Sequence, residues 1–351
     1  MADAAPRRRS ALRVLAWLLL LLVLAAAIAA GVLYAGYRAF ADAPLLPERA
    51  ASGSVVIERG DGFPAVLRRL RDEGVTAGHE LQWKALAVET GARGRIKAGE
   101  YALEPGLTPR ALLERMAAGR VVQRRFTIVE GWNIRQLRSA LAAAEAVEDR
   151  SSALSDAEMM AELGHPDAHP EGRFLPETYS YTRGTTDLQI LARAHAAMET
   201  TLEALWAERA PDAPVTTPYE ALILASIIEK ETGVPEERGE IAGVFARRLQ
   251  RGMLLQTDPT VIYGVGSAYQ GVILRSHLTT DTPYNTYTRA GLPPTPIAMP
   301  GRAAIQAALN PTPGDTLYFV ARGDGSGGHV FSRTLEEHNR AVACYRRGGC
   351  P

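Results

Sequence analysis

The sequence predicts an α+β protein with a single N-terminal transmembrane helix, a small β-α-α-β lobe and a larger mixed α+β catalytic domain. Three observations carry that prediction. An uncharged run at residues 14–37 follows Arg7, Arg8, Arg9 and Arg13. Four short strand-like and helix-like stretches then fall between residues 54 and 103. From residue 123 onward, apolar and amphipathic helices mix with short strands and polar loops.

The apolar run is about 24 residues, roughly 36 Å as a helix against a hydrocarbon core of ~30 Å, so it can span a bilayer. Arginines precede it and only Arg38 closely follows, which leaves residues 1–13 as a cytoplasmic tail and the bulk of the chain outside. That predicts a single-pass protein of the inner (cell) membrane with an extracytoplasmic, periplasmic domain. A cleaved signal peptide competes, because Ala25-Ala26-Ala27 offers a small-residue site, but the apolar run continues well past it. At 351 residues the chain has room for two small domains, and its formal net charge of zero gives no reason to expect nucleic acid.

Residues 38–53 read as a short tether containing Pro and Ala. The lobe at 54–122 follows: a strand at 54–57, a helix at 63–72 with Leu67 and Leu70 facing inward, a helix at 81–89 and a returning strand at 99–103. This order resembles the LysM module, a small peptidoglycan-binding fold; a generic α+β lobe has the same pattern. Thr108-Pro109 opens another helix, to Gly119.

The domain at 123–351 starts with an alternating strand (123–129), and Gly131-Trp132-Asn133 caps a helix from Ile134. Residues 171–179 mix aromatics, a proline and acids, a composition suited to a groove-lining loop. Residues 188–209 form an amphipathic helix. Thr217-Pro218-Tyr219-Glu220 then reads as an N-cap, a proline in the first turn and a capping-box glutamate. The uncharged run 221–228 fits a helix buried on most of its circumference, and Gly233 followed by Pro235 is a plausible stop.

Glu229 and Glu231 occupy the last turn of that helix. A low-dielectric wall and the negative end of the helix dipole both push a carboxyl's pKa upward there. A carboxyl kept protonated near neutral pH can act as a general acid. Both acids also have an ordinary reading, as solvated or paired with Lys230 or Arg247, and helical spacing alone does not choose between them. Beyond a further helix, Asp258-Pro259 is expected to cap a short one. Residues 276–301, dense in Thr, Tyr, Asn and Pro, suit a sugar-binding cleft, because sugars offer hydroxyls to bond and ring faces to stack. They also suit an ordinary ordered loop. A β-hairpin with a flexible glycine-rich turn at 323–328 and a helix from Leu335 complete the domain.

Other chemistries are set aside. The seven histidines are scattered; His165 and His169 have ligand spacing, but Pro166 breaks the helix that would align them, so no metal is expected. Ser226 lacks the Gly-x-Ser-x-Gly surround of a hydrolase nucleophile. Cys344 and Cys350 could close a small terminal loop in an oxidising compartment.

Taken together, residues 225–232 (ASIIEKET), 255–264 (LQTDPTVIYG), 284–287 (YNTY), 291–294 (GLPP) and 327–329 (GGH) resemble the YceG-like family, the endolytic murein transglycosylases. The resemblance implies a cofactor-free lytic transglycosylase. It would cut nascent peptidoglycan strands at the β-1,4 bond between N-acetylmuramic acid and N-acetylglucosamine, leaving 1,6-anhydro-muramoyl ends and limiting strand elongation. In that family the first acid of Glu-Lys-Glu is catalytic, which falls on Glu229. Gln256, Asp258, Tyr263, Asn285, Tyr287 and Glu177 are the candidates for holding the glycan. Penicillin-binding synthases and division or elongation proteins are the partners the resemblance suggests. The alternatives are a non-catalytic wall-binding scaffold and lysozyme-like hydrolysis.

Overall fold

The computed structural model describes residues 6–45, 53–75 and 77–348, with backbone alone for residues 6–11. The chain divides into two compact units, Met1–Gln123 and Arg124–Pro351.

In the first unit, α1 (Pro6–Asp42) contains the stretch Leu12–Asp42, the one helix among the described residues long and apolar enough to cross a membrane, with mean hydropathy 2.7. It runs further than the sequence suggested. The last turn is not a free tether: Ala41 and Leu45 are buried in the lobe core, and Phe40 meets the Trp83 ring edge-on at 5.2 Å. Gly78 accepts that packing because it has no side chain; a Cβ there would fall 2.1 Å from the Phe40 ring. Residues 46–52, the rest of the expected tether, lie outside the described residues.

The lobe has the expected order: β1 (Gly53–Ile57), α2 (Phe63–Asp72), α3 (Glu80–Glu89) and β2 (Gly99–Leu103). β1 and β2 pair antiparallel from Gly53 opposite Leu103 to Ile57 opposite Gly99. Val66, Leu67 and Leu70 of α2 close over the sheet with Val55, Ile57 and Tyr101. α4 (Pro109–Ala118) starts at the Thr108 cap, whose hydroxyl accepts from the Ala111 N–H, and ends on left-handed Gly119.

The second unit carries β3 (Arg124–Thr127), α5 (Ile134–Ala142), β4 (Val147–Glu148), α6 (Asp156–Glu162), β5 (Thr178–Tyr181), β6 (Thr185–Thr186) and α7 (Asp187–Ala207). Thr178 and Tyr179, expected at the end of a loop, instead begin β5, because residues 178–181 pair antiparallel with β3, more than 50 positions back. Tyr179 and Tyr181 are thereby turned into the core. The chain continues through α8 (Pro218–Glu231), α9 (Arg238–Gln250), α10 (Asp258–Val265), α11 (Arg275–Thr279) and α12 (Arg302–Leu309). All eight residues from Ala221 to Ile228 are buried, packed against α12, α9 and α7. At about 25 cal/mol per Å² of apolar surface removed from water, burying this run stabilises the domain.

β7 (Tyr318–Ala321) and β8 (His329–Ser332) form the terminal hairpin, and α13 (Leu335–Tyr345) follows. Its glycine-rich turn is not slack. Asp324 accepts from Ser326, the Arg322 N–H donates to the Gly328 carbonyl, and Glu237 holds both the His329 N–H (2.9 Å) and its ring Nδ1 (2.7 Å). Cys350, and with it the expected cysteine loop, lies outside the described residues.

Candidate active site

α8 sets the site. Thr217 accepts from the Glu220 N–H at 3.1 Å, while Glu220 reaches back one residue further than a capping box does, to the Thr216 N–H and hydroxyl. The far end is cut by Thr232, whose extended backbone (φ −141°, ψ 136°) stops the helix at Glu231 before Gly233 is reached. Glu229 therefore occupies the last turn with its side chain only 6% exposed.

Its surroundings come from three other segments. The Gly301 N–H donates to Oε2 at 2.9 Å, while Oε1 has the Arg238 Nη2 at 3.7 Å. The same Nη2 lies 3.8 Å from Oε2 of Glu130. The Glu130 loop is held in place by two backbone bonds, Gly131 N–H to the Met299 carbonyl (2.9 Å) and Met299 N–H to the Trp132 carbonyl (2.7 Å). Lys230 donates to the Gly131 carbonyl at 3.3 Å. Gly301 sits against Glu130: a Cβ there would stand 2.0 Å from Oε1 and push that side chain aside. Burial raises the Glu229 pKa; the Gly301 N–H, Arg238 and Lys230 pull it down, and Glu130 pushes it further up.

Glu231 points elsewhere. Its Oε1 accepts from the Thr257 hydroxyl, and it lines a cavity of about 620 Å³ with Arg248, Gln256, Asp258, Tyr287 and Tyr318. Burial pushes this carboxyl up to about 7. The structure thus separates two acids that helical spacing could not.

Three of the predicted glycan contacts meet at that cavity. Gln256 is exposed and holds a left-handed backbone (φ 51°), a conformation costing about 1 kcal/mol for a non-glycine residue. Leu255 and Thr257 on either side of it are buried while Gln256 is exposed. Asp258 is the first residue of α10, not its cap: Thr257 holds the cap position without a capping bond, and the Asp258 carboxylate accepts from the Tyr287 hydroxyl at 2.6 Å.

The other three are placed differently. Asn285 is 1% exposed, and its amide ties its loop to the end of α11: Nδ2 donates to the carbonyls of His277, Leu278 and Thr280, and Oδ1 accepts from the Tyr287 N–H. It latches the loop that presents Tyr287. Tyr263 packs edge-on against Tyr284 at 4.9 Å and donates to Glu171 at 3.0 Å, as a wall residue. The Glu177 side chain is exposed beside β5.

The buried carboxylate of that loop is Glu171. It is 0% exposed, accepts from the Ile134 N–H with both oxygens (3.0 and 3.2 Å), and burial pushes it up to about 7. Its seat at the N-terminus of α5 favours an anion electrostatically. Sequence reasoning missed Glu171, Glu130, Arg238 and Gly301; the one local signal was the Glu-Gly pair at 130–131 and again at 171–172, both with left-handed glycines. Ser226 is structural, donating to the Ile223 carbonyl and accepting from the Ile297 N–H.

His165 pairs with His195 rather than His169. Their rings stack at 4.0 Å, with Glu199 3.4 Å from His195 Nδ1. Stacked rings present faces to each other, whereas a metal takes the in-plane lone pairs. The arrangement as it stands is a poor ligand set.

Comparison with known proteins gives the family of the chain. The profile of the YceG-like family matches residues 55–344. The endolytic murein transglycosylase of Bacillus subtilis is 30% identical over 319 residues, 86% of this chain and 87% of that protein. Its namesake in Streptococcus pneumoniae is 37% identical over 178 residues, 49% of this chain but 32% of that longer protein. The crystal structure of a YceG-like protein from Listeria monocytogenes superposes with a TM-score of 0.50 at 29% identity, covering 82% of this chain and 98% of that one. On that coverage, the chain belongs to the YceG-like family.

Proposed function

We propose that the chain is an endolytic murein transglycosylase that cuts nascent glycan strands at the MurNAc–GlcNAc β-1,4 bond and leaves 1,6-anhydro-muramoyl ends, with Glu229 as its catalytic residue. The observation that carries this reading is the state of Glu229. It is a nearly buried carboxyl with raised pKa, one oxygen fixed by a backbone N–H and the other making no hydrogen bond among the described residues. A carboxyl held in that way can donate a proton from Oε1.

The Glu229 proton passes to the leaving glycosidic oxygen as the bond to the muramoyl anomeric carbon breaks. The resulting carboxylate then takes the proton of the muramoyl 6-hydroxyl, whose oxygen bonds to the anomeric carbon. The acid is restored, so one carboxyl serves both steps and water is the competitor to exclude, unlike in two-carboxylate hydrolases. Gln256, Asp258 and Tyr287 are the proposed contacts along the strand, with Asn285 and Tyr263 holding their supports and Glu177 on the flank. The lobe is read as a LysM-like wall-binding module. The apolar helix anchors the chain, with Arg7 to Arg13 inside and the lobe and the second unit outside, where synthases and division proteins are the proposed partners.

Replacing Glu229 by Gln in the full chain and analysing products from purified strands by mass spectrometry tests the reading. Anhydro ends forming at an undiminished rate would overturn the acid assignment. Reducing ends in the wild-type products would mean hydrolysis instead.

A further inference from the structure

The reading of Glu229 as the acid leaves one neighbour unexplained. Arg238, the first residue of α9, brings a permanent cation beside a carboxyl that must stay protonated to work. An arginine at hydrogen-bond distance would form an ion pair and hold Glu229 ionised. Yet the contact is long, 3.7 Å, and the same nitrogen is 3.8 Å from Glu130. The guanidinium sits between two carboxyls and bonds closely to neither; its Nε has no hydrogen-bond partner.

We propose that Glu130 is a positioning residue for the reaction, compensating the charge of Arg238 so that this cation does not close on Glu229. This rests on the reading of Glu229 as the acid. Glu130 is suited to the role. Its side chain is 48% exposed, its Oε2 lies 3.8 Å from the Arg238 Nη2, and its carboxylate is packed against Gly301, the residue whose N–H holds Glu229. The groups facing Glu229 are then Glu130 and Lys230 on the neighbouring loop and its own helix, Arg238 from α9, and the Gly301 N–H. Of these, the cation that Glu130 balances is Arg238, whose Nη2 lies 3.8 Å from its carboxylate, while Lys230 reaches the Gly131 carbonyl instead. The arrangement also serves the second step. When Glu229 has given up its proton, Arg238 is near enough to stabilise the carboxylate that must act as base.

The test is the pH dependence of anhydro-product formation by full-length wild type, Glu130→Gln, Glu130→Asp and Glu130→Gln/Arg238→Gln, with the Glu229 carboxyl followed directly by ¹³C NMR against a Glu229→Gln reference. Removing the Glu130 charge is expected to move the basic limb of the profile, and the Glu229 titration, to lower pH by about one unit, a tenfold loss of rate on that limb. The rate recovers at lower pH, and Asp retains most of the wild-type profile. The double variant should return the midpoint toward or above the wild-type value. An unshifted midpoint, a uniform loss of rate at every pH, or a shift that persists in the double variant would overturn the proposal. A Glu229→Gln enzyme that keeps its activity sinks the acid assignment itself, whereas an inactive one beside an unshifted Glu130→Gln sinks only the role of Glu130.

Discussion

The last turn of α8 offers two carboxyls, two residues apart, to two different environments. On one side Glu229 meets a backbone N–H, a shared guanidinium and a second carboxylate, each delivered by a different segment. On the other, Glu231 meets a single hydroxyl, that of Thr257, at the edge of a cavity that also presents Gln256, Asp258 and Tyr287. Both carboxyls are raised by burial. A raised pKa therefore does not distinguish them. What does is the company each keeps: a guanidinium shared with a second carboxylate beside Glu229, and at Glu231 one hydroxyl donor, with Asp258 pushing its carboxyl up and Arg248 pulling it down from the same cavity lining.

The largest expected difference lies in activity. Glu229→Gln removes the transferable proton and should lower the rate of anhydro-product formation by about a thousandfold, the scale of a lost general acid. Glu231→Gln keeps the Thr257 hydroxyl bonded to an amide oxygen and should cost less than about tenfold. Rates measured on one strand preparation compare the two directly. Equal losses would erase the distinction between the two sides of the helix.

A smaller effect, still confined to the Glu229 side, is expected at Gly301. Its φ of −73° suits any residue, so Gly301→Ala brings no backbone strain. The new Cβ would instead collide with the Glu130 carboxylate tip, which can swing away. The melting temperature should hold within a few degrees while activity falls about tenfold, because the displaced Glu130 no longer balances Arg238. A protein that unfolds, or one with full activity, would show that this contact does not order the site.

Much of α8 was legible because its determinants are local: Thr217, Pro218 and Glu220 mark its start, and the uncharged run marks its burial. The same holds for α2, α4 and the hairpin β7–β8, whose periodicity and turn residues lie close together in the chain. β5 was not legible, since Tyr179 and Tyr181 become strand residues only through register with Phe126 and Arg124. The acids divide in the same way. Sequence located Glu229 and Glu231, but Glu130, Arg238 and Gly301 come from three separate segments, and no local pattern announces their meeting. Asn285 shows the converse: an amide in a polar loop reads as a sugar contact until its carbonyl partners are seen.

The Glu231 side should reveal itself in stability rather than rate. Its carboxyl titrates near 7 in the folded chain against an ordinary value of 4.5, so the unfolded state ionises first as pH rises. The associated stability is full below about pH 4.5 and is lost as pH climbs through 7, about 3 kcal/mol in all. Glu231→Gln should flatten that slope, so that its unfolding free energy gains on wild type between pH 5 and 8 in denaturant titrations. Glu171, also raised to about 7, keeps a residual slope of the same sign. A variant whose pH profile parallels wild type would mean that Glu231 is solvated and not raised.

Thr257→Val gives the finest cut between the two sides. It removes the one hydroxyl donated to Glu231 and leaves every contact of Glu229 intact. Above pH 7 the ionised Glu231 loses its donor, and stability should drop by about 1 to 2 kcal/mol. Near pH 5, where the carboxyl is protonated, the loss should be smaller, because a neutral acid needs that donor less. Activity on strands, normalised to folded protein, should change less than about twofold, since the proton that moves belongs to the other carboxyl. A larger fall in rate than in stability would join the two sides, with Thr257 carrying the coupling from the cavity through Glu231 to the end of the helix.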